Sequence, residues 1–294
     1  GIFAEMYKKG YIYKGLKPVY WCTDCETALA EAEIEYADHK SLSAFVKFPV
    51  ADSKGLFDVN DTYFVIWTTT PWTLPGNMGI TIGPDFKYAM VETNNGKLIL
   101  ASELVEKVMQ AAKIEEYKKV QEFDAKDLEG VLCNHPFLDR TSRVVLGSDD
   151  TIVVELDTGS GAVHTAPGYG KEDYLCGLKN DLEVVVTVNG KGVQTEGAGP
   201  FAGMYYAKSN KAIVEWLEEK GLLLQKEEIV HSYPHCWRCK KPIIFRATNQ
   251  WFASVDEFRK PTLDAIKEVK WYPAWGEERI TKMVEERNDW CISR

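Results

Sequence analysis

The sequence has no apolar run approaching the length of a membrane span. Its first residues, GIFAEMYKKG, lack the basic start and apolar core of a secretory signal. Those absences predict a cytoplasmic protein with no membrane partner. Positive charge is scarce: 35 Lys and Arg against 44 Asp and Glu leave a formal charge of -9 at pH 7. This argues against a broadly basic surface that coats nucleic acid by releasing phosphate counterions, though not against a local basic patch. There is no internal repeat, no low-complexity linker and no GxGxxG, so a repeat array and a dinucleotide site are both poor readings. No Ser or Cys nucleophile stands beside an apparent base, so a covalent-nucleophile site is a poor reading.

What is present is the balance of a globular chain, 45% hydrophobic and 27% charged over 294 residues, long enough for two domains. IFAEMYKKG spaces apolar residues as a helix does and stops at Gly10. From about residue 43 short strands take over: SAFVKFPV, TYFVIWTTT and KYAMVE, the last turned by Asn95-Gly96 into KLILA. Ser102 is placed to cap a helix carrying Leu104, Val105, Val108 and Ala112. TIVVEL and EVVVTV read as further strands, and SNKAIVEWLEEKG as a helix closed by Gly221. After about residue 230 come HCWRCKKP, IIFRATNQWFASV and a helix near GEERITKMVEERND. The expected class is α+β, mostly β, with a barrel-like middle domain at 43–230 flanked by two pieces of a base, 1–42 and 231–294.

Seven cysteines without a secretion signal point to reduced thiols, so paired cysteines are read first as metal ligands. Cys22 and Cys25 form one CxxC, Cys236 and Cys239 another, with 210 residues between them. Two such knuckles supply the four thiolates of a tetrahedral structural zinc, provided a whole domain is inserted between them; two unrelated thiol pairs is the alternative. His235 adjoins Cys236 as a substitute ligand. Cys133, Cys176 and Cys291 have no partner at ligand spacing and read as small buried hydrophobes.

Two stretches carry candidate chemistry. TTTPWTLPGN at 68–77 sets three hydroxyls at the end of a strand, which suits a ligand rich in hydroxyl and phosphate groups. DTGSGAVHTAPGYGKEDY at 157–174 surrounds His164 with glycines that let backbone approach a ligand, then enters a helix near Lys171. Glu172 and Asp173 fall in its first turn, where acidic residues are common for dipole reasons alone.

These motifs carry a resemblance. WTTTPWTLPGN (67–77), GAVHTAPGYGKEDY (161–174), SYPHCWRCKKPIIFRATNQWF (232–252) and DWCISR (289–294) resemble, in order, an internal segment of the isoleucyl-tRNA synthetases of class I. The related valyl and leucyl enzymes carry Arg-Pro where this sequence has Thr-Pro-Trp. The resemblance implies an inserted editing domain on a zinc-bearing base, which hydrolyses valine wrongly esterified to the isoleucine tRNA. It also implies the sites. Thr68, Thr69 and Thr70 would line the pocket and Asn77 would be another polar position. Asp173 would hold the substrate ammonium, and His164 would position the substrate and exclude a methylene, with general base as the weaker option. Gly161, Trp72 and Tyr169 count among the substrate-binding positions, Trp72 with a core role favoured and Tyr169 expected at the rim. At Tyr169 the chain departs from the His of many bacterial members. Neither the His-x-Gly-His motif nor the Lys-Met-Ser-Lys-Ser loop is found, so no aminoacyl-adenylate is expected and ATP belongs only to the full-length enzyme. The expected partner is the 3′ end of tRNA(Ile) carrying valine. No protein partner is implied.

Overall fold

The computed structural model describes residues 1–285, 287 and 289–293. The chain runs α1 (Ile2–Lys8), β1 (Ile12–Cys22), β2 (Thr27–Leu29), β3 (Ile34–Asp52), β4 (Thr62–Thr68), a tight turn over Pro71–Gly76, β5 (Gly79–Ile82), β6 (Lys87–Thr93) and β7 (Gly96–Ala101). It continues through α2 (Val105–Ala111), β8 (Tyr117–Asp124), α3 (Ala125–Leu128), β9 (Leu132–Asn134), β10 (Thr141–Leu146), β11 (Ala162–Thr165), α4 (Lys171–Lys179) and α5 (Tyr206–Glu219). The last elements are β12 (Leu223–Cys236), β13 (Ile244–Ala253), α6 (Asp256–Glu268), α7 (Trp275–Glu285) and β14 (Trp290–Cys291). Among the described residues, no helix is long and apolar enough to cross a membrane.

The architecture is α+β with one large sheet, ordered β12-β3-β9-β10-β5-β11-β4-β7-β6-β8. The long strand β3 pairs with β9 and also with β4, so β3, β9, β10, β5, β11 and β4 form a closed cycle of pairings. Phe48, Phe64, Ile66, Ile80, Ile82 and Val144, all from these strands, are fully buried in one continuous apolar core. Each such side chain contributes about 1.5–3 kcal/mol by leaving water, which is why β-branched and aromatic residues dominate these runs. α5 covers one flank with Ile213, Val214 and Leu217, a helical stripe.

A smaller sheet, β14-β13-β1-β2, is built from the two ends of the chain, with Ile12 opposite Ala253 through Trp21 opposite Ile244. The sheets are joined by an antiparallel ladder in which Ile34–Val46 of β3 faces Leu223–Cys236 of β12. The changes of sequence texture at 42/43 and 230/231 both fall inside this ladder, within unbroken strands.

Several sequence expectations need correction. TIVVEL and EVVVTV form no ladder, apart from one bridge between Val188 and Gln194. Their composition suits a strand, but neither run pairs along a neighbouring strand; Ile152 and Val154 instead pack their side chains against Val145 and Cys176. His164 sits in β11 rather than in a loop. The hairpin between β6 and β7 turns through Asn94 and Asn95 with Thr93 opposite Gly96, and only Gly96 of these has positive φ, at 96°. Ser102 caps nothing: its hydroxyl donates to Glu122 at 2.9 Å. The helix expected through 289 ends at Glu285, and Glu286, Asn288 and the final Arg294 of DWCISR lie outside the described residues.

Candidate functional site

Strand β4 delivers Thr68 to the rim of a cavity, and the turn that follows folds Thr70 and Thr73 back beneath it. Pro71 and Pro75 suit that turn because a fixed φ and a missing N–H cost nothing where no ladder continues. The turn is held from outside by four side chains. Asn210 Oδ1 accepts the Trp72 N–H at 2.8 Å, Gln194 Nε2 donates to the Trp72 carbonyl at 2.8 Å, His135 Nε2 donates to the Leu74 carbonyl at 2.8 Å, and Arg140 donates to the Pro75 carbonyl. A segment with so many distant tethers is rigid, and it presents its hydroxyls in fixed places.

The cavity has a volume of about 310 Å³. Thr68, Thr69, Thr70 and Thr73 form one wall, and the unpaired run through Val153, Val154 and Glu155 forms another. Gly159, Ser160 and Gly161 close a third side, and His164, Ala166, Tyr169 and Asp173 complete the lining. Gly161 is required twice over: its φ is 73°, and a Cβ there would lie 2.3 Å from that of Ala101.

The hydroxyls are not equivalent. Thr68 Oγ1 accepts the Thr70 N–H at 3.1 Å, and Thr73 donates to the Thr70 carbonyl at 2.8 Å. Thr70 Oγ1 has only long contacts, 3.4 Å to Thr68 and 3.3 Å to Thr73. The Thr69 hydroxyl bonds no group among the described residues. Thr69 and Thr70 are therefore the two hydroxyls free to meet a ligand.

His164 is committed on both ring nitrogens: Nδ1 lies 2.7 Å from Asn77 Nδ2, and Nε2 lies 2.9 Å from Thr73 Oγ1. Burial and the positive charge of Arg140 push its pKa down to about 3, so it is neutral at physiological pH. A neutral ring with no free lone pair is a poor base for water. Asp173, the third residue of α4, accepts the Ala166 N–H at 2.8 Å on Oδ1. Its carboxyl sits in the cavity wall although the residue is partly exposed as a whole. Desolvation pushes its pKa up to about 6, opposed by the Ala166 and its own backbone N–H groups and assisted by Glu172. Gly170 is glycine for space, because a Cβ there would lie 2.2 Å from Asp173 Oδ2. With a neutral His164 and a desolvated Asp173, the site favours a cationic group.

Trp72 and Asn77 do not line the cavity. Trp72 is buried in a separate cluster, edge-on to Tyr169 at 5.1 Å and Tyr206 at 5.2 Å between ring centres. Asn77 is fully buried beneath His164. Tyr169 is not a rim residue: it is buried, its hydroxyl accepts the N–H groups of Thr187 at 2.6 Å and Val188 at 2.8 Å, and it meets Thr187 Oγ1 at 2.9 Å. A tyrosine long enough to reach those amides is drawn into the core. Sequence reasoning passed over Thr73, Ser142 and the 153–155 wall. Thr73 stands inside the quoted threonine peptide, but nothing local marks Ser142.

The sulfur atoms of Cys22, Cys25, Cys236 and Cys239 all lie within 4.8 Å of one another, with Cys22 and Cys239 at 3.5 Å. The two knuckles share one local geometry, since Glu26 and Lys240, each following its second cysteine, have φ of 48° and 58°. This donor set could hold a metal ion. His235 is not part of the cluster, and its Nδ1 faces the Tyr233 carbonyl at 2.9 Å. Two of the basic residues near Cys236 are already committed: Lys240 pairs with Glu35, and Arg246 donates to the Val188 carbonyl and stacks on Trp21.

The family model described as tRNA synthetases class I (I, L, M and V) matches residues 1–294. The chain is 55% identical over 294 residues to an isoleucine–tRNA ligase of Moorella thermoacetica, covering all of this chain and 31% of that protein. It is 56% identical over 298 residues to that of Caldicellulosiruptor bescii, covering 32% of it. It thus spans about a third of the length of the curated relatives it matches. Among solved structures, one titled "The crystal structure of GlLeuRS-CP1" is similar with a TM-score of 0.46 and 13% identity, over 64% of this chain and 97% of that one. On its sequence, the chain belongs to the class I tRNA synthetases of the isoleucyl, leucyl, methionyl and valyl group, and it corresponds to a segment of isoleucine–tRNA ligase.

Proposed function

We propose that the threonine-lined cavity is an editing site that hydrolyses valine from the 3′ end of tRNA(Ile). The observation that carries this reading is the meeting, in one small cavity, of two uncommitted hydroxyls and one desolvated carboxylate. A pocket that accepts isoleucine discriminates against valine by only about 1–3 kcal/mol per methylene, a general value for which the isoleucyl enzymes are themselves the worked example. A second, smaller site that admits only the valyl ester supplies the missing discrimination. At about 310 Å³ the cavity lies near the small end of the usual ligand range of about 300–1,000 Å³, which suits that role.

In this reading Asp173 binds the α-ammonium and so orients the ester, while Thr69 and Thr70 bond the ribose or the ester oxygens. Water attacks the carbonyl carbon, the ester C–O bond breaks, and the ribose oxygen leaves with a proton as valine is released. His164 shapes the wall and does not take the proton. Trp72 supports the turn from behind, and Gly161 brings backbone close to the ligand. The middle of the chain forms the barrel-like editing domain, carried on a base that holds structural zinc through Cys22, Cys25, Cys236 and Cys239. Sulfurs around a tetrahedral zinc at about 2.3 Å stand about 3.8 Å apart, which the cysteine cluster matches with small shifts. The protein works in the cytoplasm beside its tRNA. ATP chemistry lies elsewhere in the full-length enzyme.

Deacylation of valyl-tRNA(Ile) and isoleucyl-tRNA(Ile) by the purified chain tests this. Hydrolysis of the valyl ester alone, lost in Asp173→Ala with the circular dichroism spectrum intact, is the expected result. Binding without hydrolysis would leave a zinc-bearing tRNA-binding module, and an unchanged rate in Asp173→Ala would refute the site.

A further inference from the structure

Gly161 lines the cavity, but Ala101, directly behind it, does not. A Cβ on Gly161 would lie 2.3 Å from the Ala101 Cβ, so the Gly161 backbone already rests on that methyl group. The same residue also ties the wall down: the Ala101 N–H donates to the Ser160 carbonyl at 2.9 Å. Across the β6–β7 ladder Ala101 stands opposite Tyr88, and the Tyr88 hydroxyl reaches the Gly161 carbonyl. The direction of that bond is fixed. The hydroxyl accepts the Gly83 N–H at 2.9 Å and has a single hydrogen, and a carbonyl only accepts, so the hydrogen goes to Gly161. Burial raises the phenol pKa, which keeps Tyr88 a donor at neutral pH and well above. Tyr88, Leu98, Ile99 and Leu100 have no exposed surface, and a close-packed core of this kind does not yield readily.

We propose that Ala101 and Tyr88 form a backstop that sets the width of the ester-hydrolysing cavity, and that they thereby decide its choice between valine and isoleucine without touching the substrate. This rests on the reading of the cavity as an editing site. The threonine wall is anchored from outside by Asn210, Gln194, His135 and Arg140. The 159–161 wall is anchored by Ala101 and Tyr88, and at its other end Gly159 lies against Trp67, where a Cβ would be 3.3 Å from the Trp67 Cβ. Admitting valine while refusing isoleucine turns on one methylene, which a well-formed pocket distinguishes by about 10–200-fold. A wall that recedes by part of a methylene's width gives that discrimination up. With no methyl group behind it, the Gly161 segment has room to recede; with a larger group there, it is pushed into the cavity.

The test measures deacylation of valyl-tRNA(Ile) and isoleucyl-tRNA(Ile) by the full chain, beside crystal structures of the wild type and its variants. In Ala101→Gly the wall is expected to recede, and the ratio of kcat/KM for the valyl over the isoleucyl ester to fall about tenfold through faster isoleucyl hydrolysis. Tyr88→Phe, which frees the Gly161 carbonyl, should lower the ratio in the same direction. Ala101→Val should push the wall inward and raise KM for the valyl ester. A role in stability alone would lower both rates together and leave the ratio where it was. An unaltered ratio in both Ala101→Gly and Tyr88→Phe would overturn the proposal, as would a Gly161 backbone that keeps its wild-type position in Ala101→Gly. If Ala101→Val fails to fold, the other two variants still decide. If the wild type hydrolyses neither ester, the editing reading fails on its own, and the position of Gly161 in Ala101→Gly judges the backstop separately.

Discussion

Replacing Tyr169 by phenylalanine isolates the contribution of one hydroxyl. The ring stays, and with it the edge contact to Trp72 and the wall against Gly76. What is lost is the acceptor for the Thr187 N–H at 2.6 Å and the Val188 N–H at 2.8 Å, both in residues with no exposed surface. A buried donor left without a partner costs about 1–3 kcal/mol, so two such donors predict a loss of about 3 kcal/mol once partial relaxation is allowed. Urea unfolding followed by tryptophan fluorescence measures it directly, because Trp72 lies 5.1 Å from the substituted ring. The midpoint should fall with the slope unchanged. A loss below about 1 kcal/mol would refute the claim that Tyr169 anchors the 187–188 segment and would return it to the rim.

The same geometry yields further expectations. Gly76→Ala places a Cβ 2.5 Å from Tyr169 Cε2 and 2.9 Å from Cδ2, so overpacking should cost about 1–3 kcal/mol, measured by the same unfolding curves; a neutral effect would mean the ring yields freely. Asp173 titrates near 6 in the folded chain against an ordinary 3.8, so the folded state holds the proton more tightly. Its contribution to stability is full below about pH 4 and is lost as pH rises through about 6; Asp173→Asn should flatten that slope in pH-dependent melting. Activity runs the other way, because the ammonium needs the ionised carboxylate: kcat/KM for valyl-tRNA(Ile) should climb through about pH 6, and a flat profile would contradict the role. Chelation should lower the melting temperature of the chain while Cys236→Ser abolishes the metal signal by elemental analysis, and a molar ratio well below one zinc per chain would remove the structural metal.

Much of this was legible in the order of residue types. Strong local patterns such as TYFVIWT, KYAMVE and the α5 stripe became the expected elements because periodicity and burial agree in them. The threonine peptide, the acidic start of α4 and the two CxxC pairs could each be singled out, since each is a dense local pattern of chemically distinctive residues. The failures share a cause as well. TIVVEL has the composition of a strand, but whether a strand forms depends on pairing with a neighbour, and pairing is a property of the assembled sheet. Tyr169 is expected at the rim, yet a hydroxyl reaching two buried amides draws it inward.

By itself, then, the sequence determined which groups are available, three adjacent threonines, a histidine, a carboxylate and four thiols, because composition and short spacing are local facts. Only the tertiary structure decided what state those groups are in. It separated Thr69 and Thr70 from the hydroxyls already spent, neutralised His164 by burial near Arg140, and raised the Asp173 pKa by desolvation. Protonation and hydrogen-bond direction are set by what surrounds a group, and here those surroundings come from β4 (Thr62–Thr68), β11 (Ala162–Thr165) and α4 (Lys171–Lys179), far apart in the chain and adjacent only in the fold.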